Sequence, residues 1–182
     1  RHIVRSVRHR YIYATTDVHG NYIGENSLSN VKSYVDLKRA EYGEKSVFLI
    51  DNGDHLQGTN AAYYFNFKDT TGGKHLFTRV MENIGYDAVV MGNHDIEAGH
   101  PVYDKVDAEM SIPYLAANAI SEETGRPYFQ EYAIIKKGGV KVAVIGFQNP
   151  NISQWLAYSL WEGIKFVPTY PMADSLVKVV RQ

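Results

Sequence analysis

The chain has 182 residues, of which 45% are hydrophobic and 21% are charged, and this composition is typical of one globular domain with a hydrophobic core. With 19 basic and 20 acidic residues, its net charge near zero gives no general attraction to nucleic-acid polymers or to anionic membranes. The sequence contains no cysteine, which excludes disulfides and thiolate metal sites, so that any metal must be bound by oxygen and nitrogen ligands.

The first ten residues, RHIVRSVRHR, are rich in arginine and histidine. We interpret residues 1–10 as a basic lead-in rather than a nucleic-acid-binding arm, because nothing else on the chain supports such an arm. No apolar run approaches the ~18 residues that a membrane span requires, and the N-terminus shows no signal-peptide hydrophobic region. We therefore expect no membrane span.

Apolar strands and amphipathic helices alternate between residue 11 and residue 118. We predict strands at 11–16, 46–50, 88–91 and 112–118, and helices at 28–42, 75–84 and 100–109. The segment YYFNF at 63–67 fits a lid or a core segment better than a base-stacking platform. Continuous apolar strands that alternate with helices predict an α/β fold around a largely parallel sheet.

The pattern changes in the C-terminal third of the sequence. FQEYAIIKK and VKVAVIGF flank Gly138 and Gly139, which predicts an antiparallel hairpin. WLAYSLWEGIKF is irregular, and PMADSLVKVVRQ is typical of the beginning of a helix.

Polar residues follow each of the first three predicted strands, in the loops TTDVHGN, DNGDHLQG and MGNHD. Because the carboxyl ends of parallel strands lie side by side, we expect these loops to meet in one crevice. Carboxylate and imidazole ligands suit divalent ions such as Mn, Fe, Zn or Mg. The residues concerned are Asp17 and His19 in the first loop, Asp51 and Asp54 in the second, and Asn93, His94 and Asp95 in the third.

The motifs TDVHG, DNGDHLQG and GNHD, in this order and spacing, resemble those of the calcineurin-like metallophosphoesterases. GDHLQGT, AAN at 116–118 and VKVAVIGF narrow the resemblance to the branch of 5′-nucleotidases and 2′,3′-cyclic-nucleotide phosphodiesterases. The resemblance implies that residues 11–182 form the N-terminal part of a catalytic domain, an α/β structure with an incomplete αββα sandwich.

The resemblance also implies a centre with two divalent metal ions, for which Mn, Zn, Fe, Co, Mg and Ca are candidates. Carried over by position, Asp17 and His19 would bind the first ion and Asn93 the second. Asp54 would bridge the two ions.

The third motif would supply the catalytic residue of this centre. His94 would lie near the scissile phosphate, where it would stabilise the transition state or protonate the leaving oxygen. Its acidic partner by position is Glu97, with Asp95 as the alternative. Asn118 is a candidate for phosphate binding.

The family's later histidine motifs have no counterpart here, because His100 is the last of the seven histidines. We expect those motifs, and the domain that selects the nucleotide, to lie beyond Gln182. Four ligands cannot fill two metal sites, so we expect the chain alone to bind at most one metal weakly and to hydrolyse phosphoesters poorly. An exposed apolar sheet edge would favour self-association or pairing with a complementing C-terminal segment.

Two functions remain for comparison. The leading one is metal-dependent hydrolysis of nucleotides by the parent protein, as a 5′-nucleotidase, a cyclic phosphodiesterase with 3′-nucleotidase activity or a sugar-nucleotide hydrolase. Glu97 and LWEGIKF favour the cyclic phosphodiesterase slightly. The alternative is a non-catalytic remnant that binds phosphate or a partner. The resemblance further implies a periplasmic, secreted or cell-wall-associated protein.

Overall fold

The computed structural model describes residues 9–69 and 71–182, so most of the predicted lead-in at 1–10 lies outside the described residues. Four parallel strands form the main sheet in the order β1-β2-β3-β4. They are β1 (Tyr11–Thr15), β2 (Val47–Asp51), β3 (Ala88–Val90) and β4 (Tyr114–Leu115). Two antiparallel pairs follow, β5 (Ala119–Ser121) with β8 (Ile164–Phe166), and β6 (Tyr132–Lys137) with β7 (Val140–Ile145).

Seven α-helices connect or follow these strands in the described part of the chain. They are α1 (Leu28–Tyr42), α2 (Asn60–Phe67), α3 (Leu76–Ile84), α4 (Asn93–Ile96), α5 (His100–Glu109), α6 (Ile152–Trp155) and α7 (Thr169–Val180). None of the helices in the described ranges combines the length and apolarity needed to cross a bilayer.

The helix ends follow from local chemistry. α1 begins where Asn30 Oδ1 accepts the backbone N–H of Ser27 at 3.1 Å, one half of a capping box, and it ends at Gly43. His75 Nδ1 accepts the N–H of Phe77 at 3.2 Å at the start of α3. α3 ends at Gly85, whose φ of 77° lies in the left-handed region that glycine adopts without strain. The predictions for α1, α3 and α5 are confirmed to within one residue.

The elements stack in four layers. Helices α1, α3 and α5 cover one face of the parallel sheet, where Val35, Met81 and Val106 belong to one buried cluster. The opposite face packs against the β6–β7 hairpin, so that Val90 of β3 and Val144 of β7 share a second cluster. α7 lies against the outer side of β7. The layer order helix, sheet, sheet, helix confirms the predicted α/β class. Each fully buried Leu, Met or Phe in these clusters contributes about 1.5–3 kcal/mol.

Two local predictions are wrong, and of the two alternatives for the segment 63–67, a lid or a core segment, exposure excludes the core. The apolar run 112–118 was expected to be one strand, but β4 is short because Ala116 N–H donates to Gln130 O at 3.0 Å and Ala117 N–H to Gly146 O at 2.8 Å. The loop GNHDIEAG contains a helical turn, α4. The segment 63–67 is the greater part of α2, and its Tyr63 and Phe67 are exposed rather than buried.

Candidate metal centre

The loops after β1, β2 and β3 meet at the carboxyl edge of the sheet, as the strand order requires. Asp17 N–H donates to Gly53 O at 3.1 Å, and His19 N–H donates to Asp54 O at 2.8 Å. The backbone N–H of His94 donates to Asp54 Oδ1 at 2.9 Å. The second loop is therefore held between the first and the third, with Asp54 at the centre.

Three side chains form a group that could hold a metal ion. Ligand atoms of His19, Asp54 and His94 all lie within 4.8 Å of one another. The two imidazole rings are 5.1 Å apart, centroid to centroid. Two nitrogen donors and one carboxylate oxygen are a donor set that suits Zn, Mn or Fe, so the residues present fit a divalent ion.

Both histidines in this group have an oriented ring. His19 Nδ1 lies 3.1 Å from the amide oxygen of Gln57, and His94 Nδ1 lies 2.8 Å from a carboxylate oxygen of Glu97. Since an amide oxygen and a carboxylate only accept hydrogen bonds, both Nδ1 atoms donate. Each ring therefore leaves its Nε2 available for another partner.

The backbone is strained at the predicted ligands. Among the described residues, four that are not glycine have positive φ, namely Asp17 at 54°, His19 at 51°, Asn26 at 52° and Asp54 at 66°. Left-handed backbone costs free energy at residues with a Cβ, and such strain concentrates at functional sites. Three of these four positions are predicted metal ligands, which indicates that the loops are shaped for the site rather than for stability.

Asp95 is a structural centre beneath the site. Its carboxylate accepts four backbone N–H groups, from Asp54 at 3.1 Å, His55 at 2.7 Å, Leu56 at 2.8 Å and Gly92 at 2.8 Å. It is fully buried. Glu97 therefore contacts His94, whereas Asp95 ties the second loop to the third.

A second buried acid supports the same loop from the other side. Asp51 Oδ1 accepts from Gly53 N–H at 2.7 Å and lies 2.6 Å from His55 Nε2, and the hydroxyl of Thr15 donates to the other oxygen. Burial lowers the pKa of His55, but the charge and hydrogen bond of Asp51 outweigh it, so the net shift is upward. The hydrogen-bonded pair of Asp51 and His55 stabilises the turn that contains Asp54.

The electrostatics of Asp54 suit a cation. Burial raises the pKa of its carboxyl, the His94 backbone N–H opposes that rise, and the charges of Asp95 and Asp17 add to it. Partial burial beside two other acids disfavours the ionised form, and a bound cation would reverse this balance.

The remaining predicted residues lie at different depths. Asp17 is exposed and stands outside the group of three, although its loop is part of the same crevice. Asn93 is half-buried at the first position of α4. Asn118 is fully buried, and its amide is bonded to backbone groups of Gln148 and Val167. The prediction that Asn118 touches a phosphate has no support from this geometry, because its hydrogen-bonding groups are already engaged.

Sequence reasoning missed two glutamines. Gln57 orients His19 and Gln148 contacts the third loop. Gln57 stands three residues after Asp54, and its place in the second motif was the available signal. Nothing in the sequence near Gln148 pointed to the site, since the contact spans 56 residues along the chain.

The family model for calcineurin-like phosphoesterases matches residues 11–170. The chain belongs to the calcineurin-like phosphoesterase family. Enzymes of this family use divalent metals, which agrees with the group formed by His19, Asp54 and His94.

The curated relatives that the chain resembles include enzymes named as a cyclic-nucleotide phosphodiesterase and as a 5′-nucleotidase. A 2′,3′-cyclic-nucleotide 2′-phosphodiesterase/3′-nucleotidase of Yersinia enterocolitica is 27% identical over 79% of this chain and 25% of its own length. A 5′-nucleotidase of Vibrio vulnificus (strain CMCP6) is 33% identical over 77% of this chain and 25% of its own length. The chain thus spans about a quarter of the length of these relatives.

Solved structures show the same fold. The calcineurin-like phosphoesterase YfkN from Bacillus subtilis superposes with a TM-score of 0.79, covering 93% of this chain and 57% of that one at 24% sequence identity. The predicted metallophosphoesterase architecture is therefore confirmed.

Proposed function

We propose that this chain carries part of the catalytic centre of a metal-dependent hydrolase that cleaves nucleotide phosphoesters. The observation that carries the proposal is the group of His19, Asp54 and His94, with Glu97 behind His94. A set of strained, partly buried polar residues has little value for packing, because burying polar groups costs free energy.

Each residue has a proposed role. Asp17 and His19 would help to hold a first divalent ion, Asn93 would help to hold a second, and Asp54 would contribute to both sites. When bound, such ions neutralise phosphate charge and acidify water. Gln57 fixes the His19 ring through Nδ1, so that Nε2 would be the nitrogen left for the ion.

His94 is proposed as the group that meets the leaving oxygen. With Nδ1 donating to Glu97, the imidazolium form carries its second proton on Nε2. Glu97 accepts the Nδ1 hydrogen bond and fixes the ring, and so acts as a positioning residue. Transfer of the Nε2 proton to the leaving alkoxide would complete cleavage of the ester bond.

Nucleotides are the proposed substrates, with the 2′,3′-cyclic phosphodiester and the 5′-monophosphate as the two specific candidates. Both kinds of relative match the chain over a similar extent. A periplasmic, secreted or wall-bound location is proposed on the same family grounds.

The test compares His94→Gln, Glu97→Gln and the unaltered chain with Mn²⁺, at high protein concentration because slow turnover is expected. Loss of a general acid lowers rates by about 10²–10⁴-fold for a nucleoside leaving group, and by much less for p-nitrophenyl phosphate, whose leaving group needs no proton. His9→Gln is the matched control, since His9 is exposed near the opposite end of β1.

A chain that binds no divalent ion, or whose slow hydrolysis is indifferent to His94→Gln, would overturn the proposal. Binding of phosphate without turnover, unchanged by Mn²⁺, would instead support the non-catalytic alternative.

A further inference from the structure

Gln148 is a buried glutamine far from the metal centre in sequence. It follows β7 and is 2% exposed. Its Nε2 donates to Gly92 O at 2.7 Å and to Met91 O at 3.3 Å, and its Oε1 accepts from Asn149 N–H at 2.8 Å. The side-chain amide thus has partners on both of its ends, which fixes its orientation.

Asn118 holds Gln148 from behind. Asn118 Oδ1 accepts the backbone N–H of Gln148 at 2.7 Å, and its Nδ2 donates to Gln148 O at 2.8 Å and to Val167 O at 2.9 Å. The two amides therefore link four segments: the chain after β3, the chain before β5, the chain after β7 and the chain after β8.

The target of Gln148 is the carbonyl that precedes the catalytic turn. Gly92 is the N-cap of α4, and Asn93 and His94 are the first two residues of that helix. α4 has only four residues, too few to be stable alone, so its direction depends on what holds its N-terminus. Among the described residues, no side chain other than Gln148 donates to Gly92 O.

We propose that Gln148, braced by Asn118, is a positioning residue for the candidate site, which holds the Gly92 carbonyl and thereby fixes how Asn93 and His94 face Asp54. This inference rests on the proposed function for its catalytic consequence. It gives the Asn118 amide a role in positioning through Gln148, in place of direct contact with substrate.

A positioning role for Gln148 can be distinguished from a role in fold stability alone. A buried amide that only stabilised the fold would lower unfolding free energy when replaced, and would leave metal affinity in the folded protein unchanged. A positioning amide changes the geometry of the ligands in the folded state. Replacing a residue that orients metal ligands from behind typically lowers metal affinity or activity by about 10–100-fold.

The experiment uses Gln148→Met, which keeps the length of the side chain and removes its donors and acceptor. Mn²⁺ affinity of the chain is measured by electron paramagnetic resonance, and the ring nitrogens of His94 are followed by ¹⁵N NMR without metal. We expect Mn²⁺ binding to weaken by about 10-fold or more, and the His94 signals to shift. Two controls are Gln130→Met, at an exposed glutamine, and Val35→Ala, a buried site in α1 that lowers stability away from the centre.

The outcomes separate this inference from the proposed function. If Gln148→Met changes neither Mn²⁺ affinity nor the His94 signals beyond what Val35→Ala does, the positioning role is wrong. If the unaltered chain binds no Mn²⁺, the proposed function fails, and the NMR comparison alone then decides the inference. Shifted His94 signals would still support it, and unchanged signals would overturn it.

Discussion

At the scale of single residues, the centre depends on glycines that let two loops touch. Gly92 lies directly against Asp54, and a Cβ at this position would overlap the Asp54 backbone nitrogen and side chain. Gly53 faces Gly92 in the same way, so that its own Cβ would overlap the Gly92 backbone. The close approach lets the His94 N–H reach the Asp54 carboxylate.

Gly92→Ala should therefore separate the second loop from the third. We expect a loss of about 1–3 kcal/mol in unfolding free energy from overpacking, together with a loss of Mn²⁺ affinity. Urea unfolding and metal titration measure the two effects. Gly73→Ala is the control, since a Cβ there meets nothing closer than 3.7 Å. Equal behaviour of the two variants would refute the close-approach argument.

Asp107 on α5 gives a pH dependence that is independent of the metal centre. Burial, and then the neighbouring charge of Asp104, raise the pKa of Asp107 from 3.8 to about 6. The folded protein therefore keeps this proton at pH values where the unfolded chain has lost it. Stability from this group is present at low pH and is lost as the pH rises from about 4 to about 6.

Asp107→Asn should remove this loss of stability at higher pH. A rise from 3.8 to about 6 corresponds to at most about 3 kcal/mol, and since the carboxyl is only partly buried we expect about 1–2 kcal/mol. The difference in unfolding free energy between the variant and the unaltered chain should favour the variant more at pH 7.5 than at pH 4. Urea midpoints at the two pH values test this, with Asp174→Asn on the exposed end of the chain as control. A variant effect that does not depend on pH would contradict the assignment.

At the scale of elements, β1 is the open edge of the parallel sheet. It pairs with β2 through the register Tyr11 to Val47, and no strand in the described ranges pairs with its other side. Ile12, the second residue of β1, is 57% exposed. An unpaired strand with an exposed apolar residue is a template for association.

Ile12→Lys should accordingly reduce any self-association of the chain. A charge on an edge strand discourages strand addition, because pairing would bury it. Sedimentation velocity at several protein concentrations measures the effect. Ile23→Lys is the matched control, since Ile23 is 85% exposed but lies in a loop. If both variants change association equally, the effect is general hydrophobicity and not the edge.

At the scale of the whole molecule, the number of ligands that the chain supplies limits how many metal ions it can hold. Asp17, His19, Asp54 and Asn93 are the proposed ligands, and no histidine follows His100. Two ions share these four groups only if water completes their coordination, which weakens binding.

We therefore expect at most one weakly held Mn²⁺ per chain, measured by elemental analysis after dialysis. Two tightly held ions would show that further ligands come from a second copy or from another chain. Asp54→Asn should abolish the binding that remains, because Asp54 is the carboxylate that both histidines face.

The class of fold and most of its elements follow from local features of the sequence. The periodicity of α1, α3 and α5 and the apolar runs of β1, β2 and β3 are local properties, and local properties survive in the folded chain. The three loop motifs also predicted that their loops would meet, because the carboxyl ends of parallel strands lie side by side, and the loops do contact one another. Glu97 was placed beside His94 by position alone, and the two are in contact.

Features that depend on contacts between distant parts of the chain could not be predicted from the sequence pattern. The run 112–118 reads as one strand, yet its hydrogen bonds go to residues 130 and 146, so it breaks after β4. The sequence made Asn118 a candidate for phosphate binding, yet its side-chain amide donates hydrogen bonds to the backbone carbonyls of Gln148 and Val167. Such outcomes are set by which buried polar groups find partners across the fold, and a linear pattern does not contain that information.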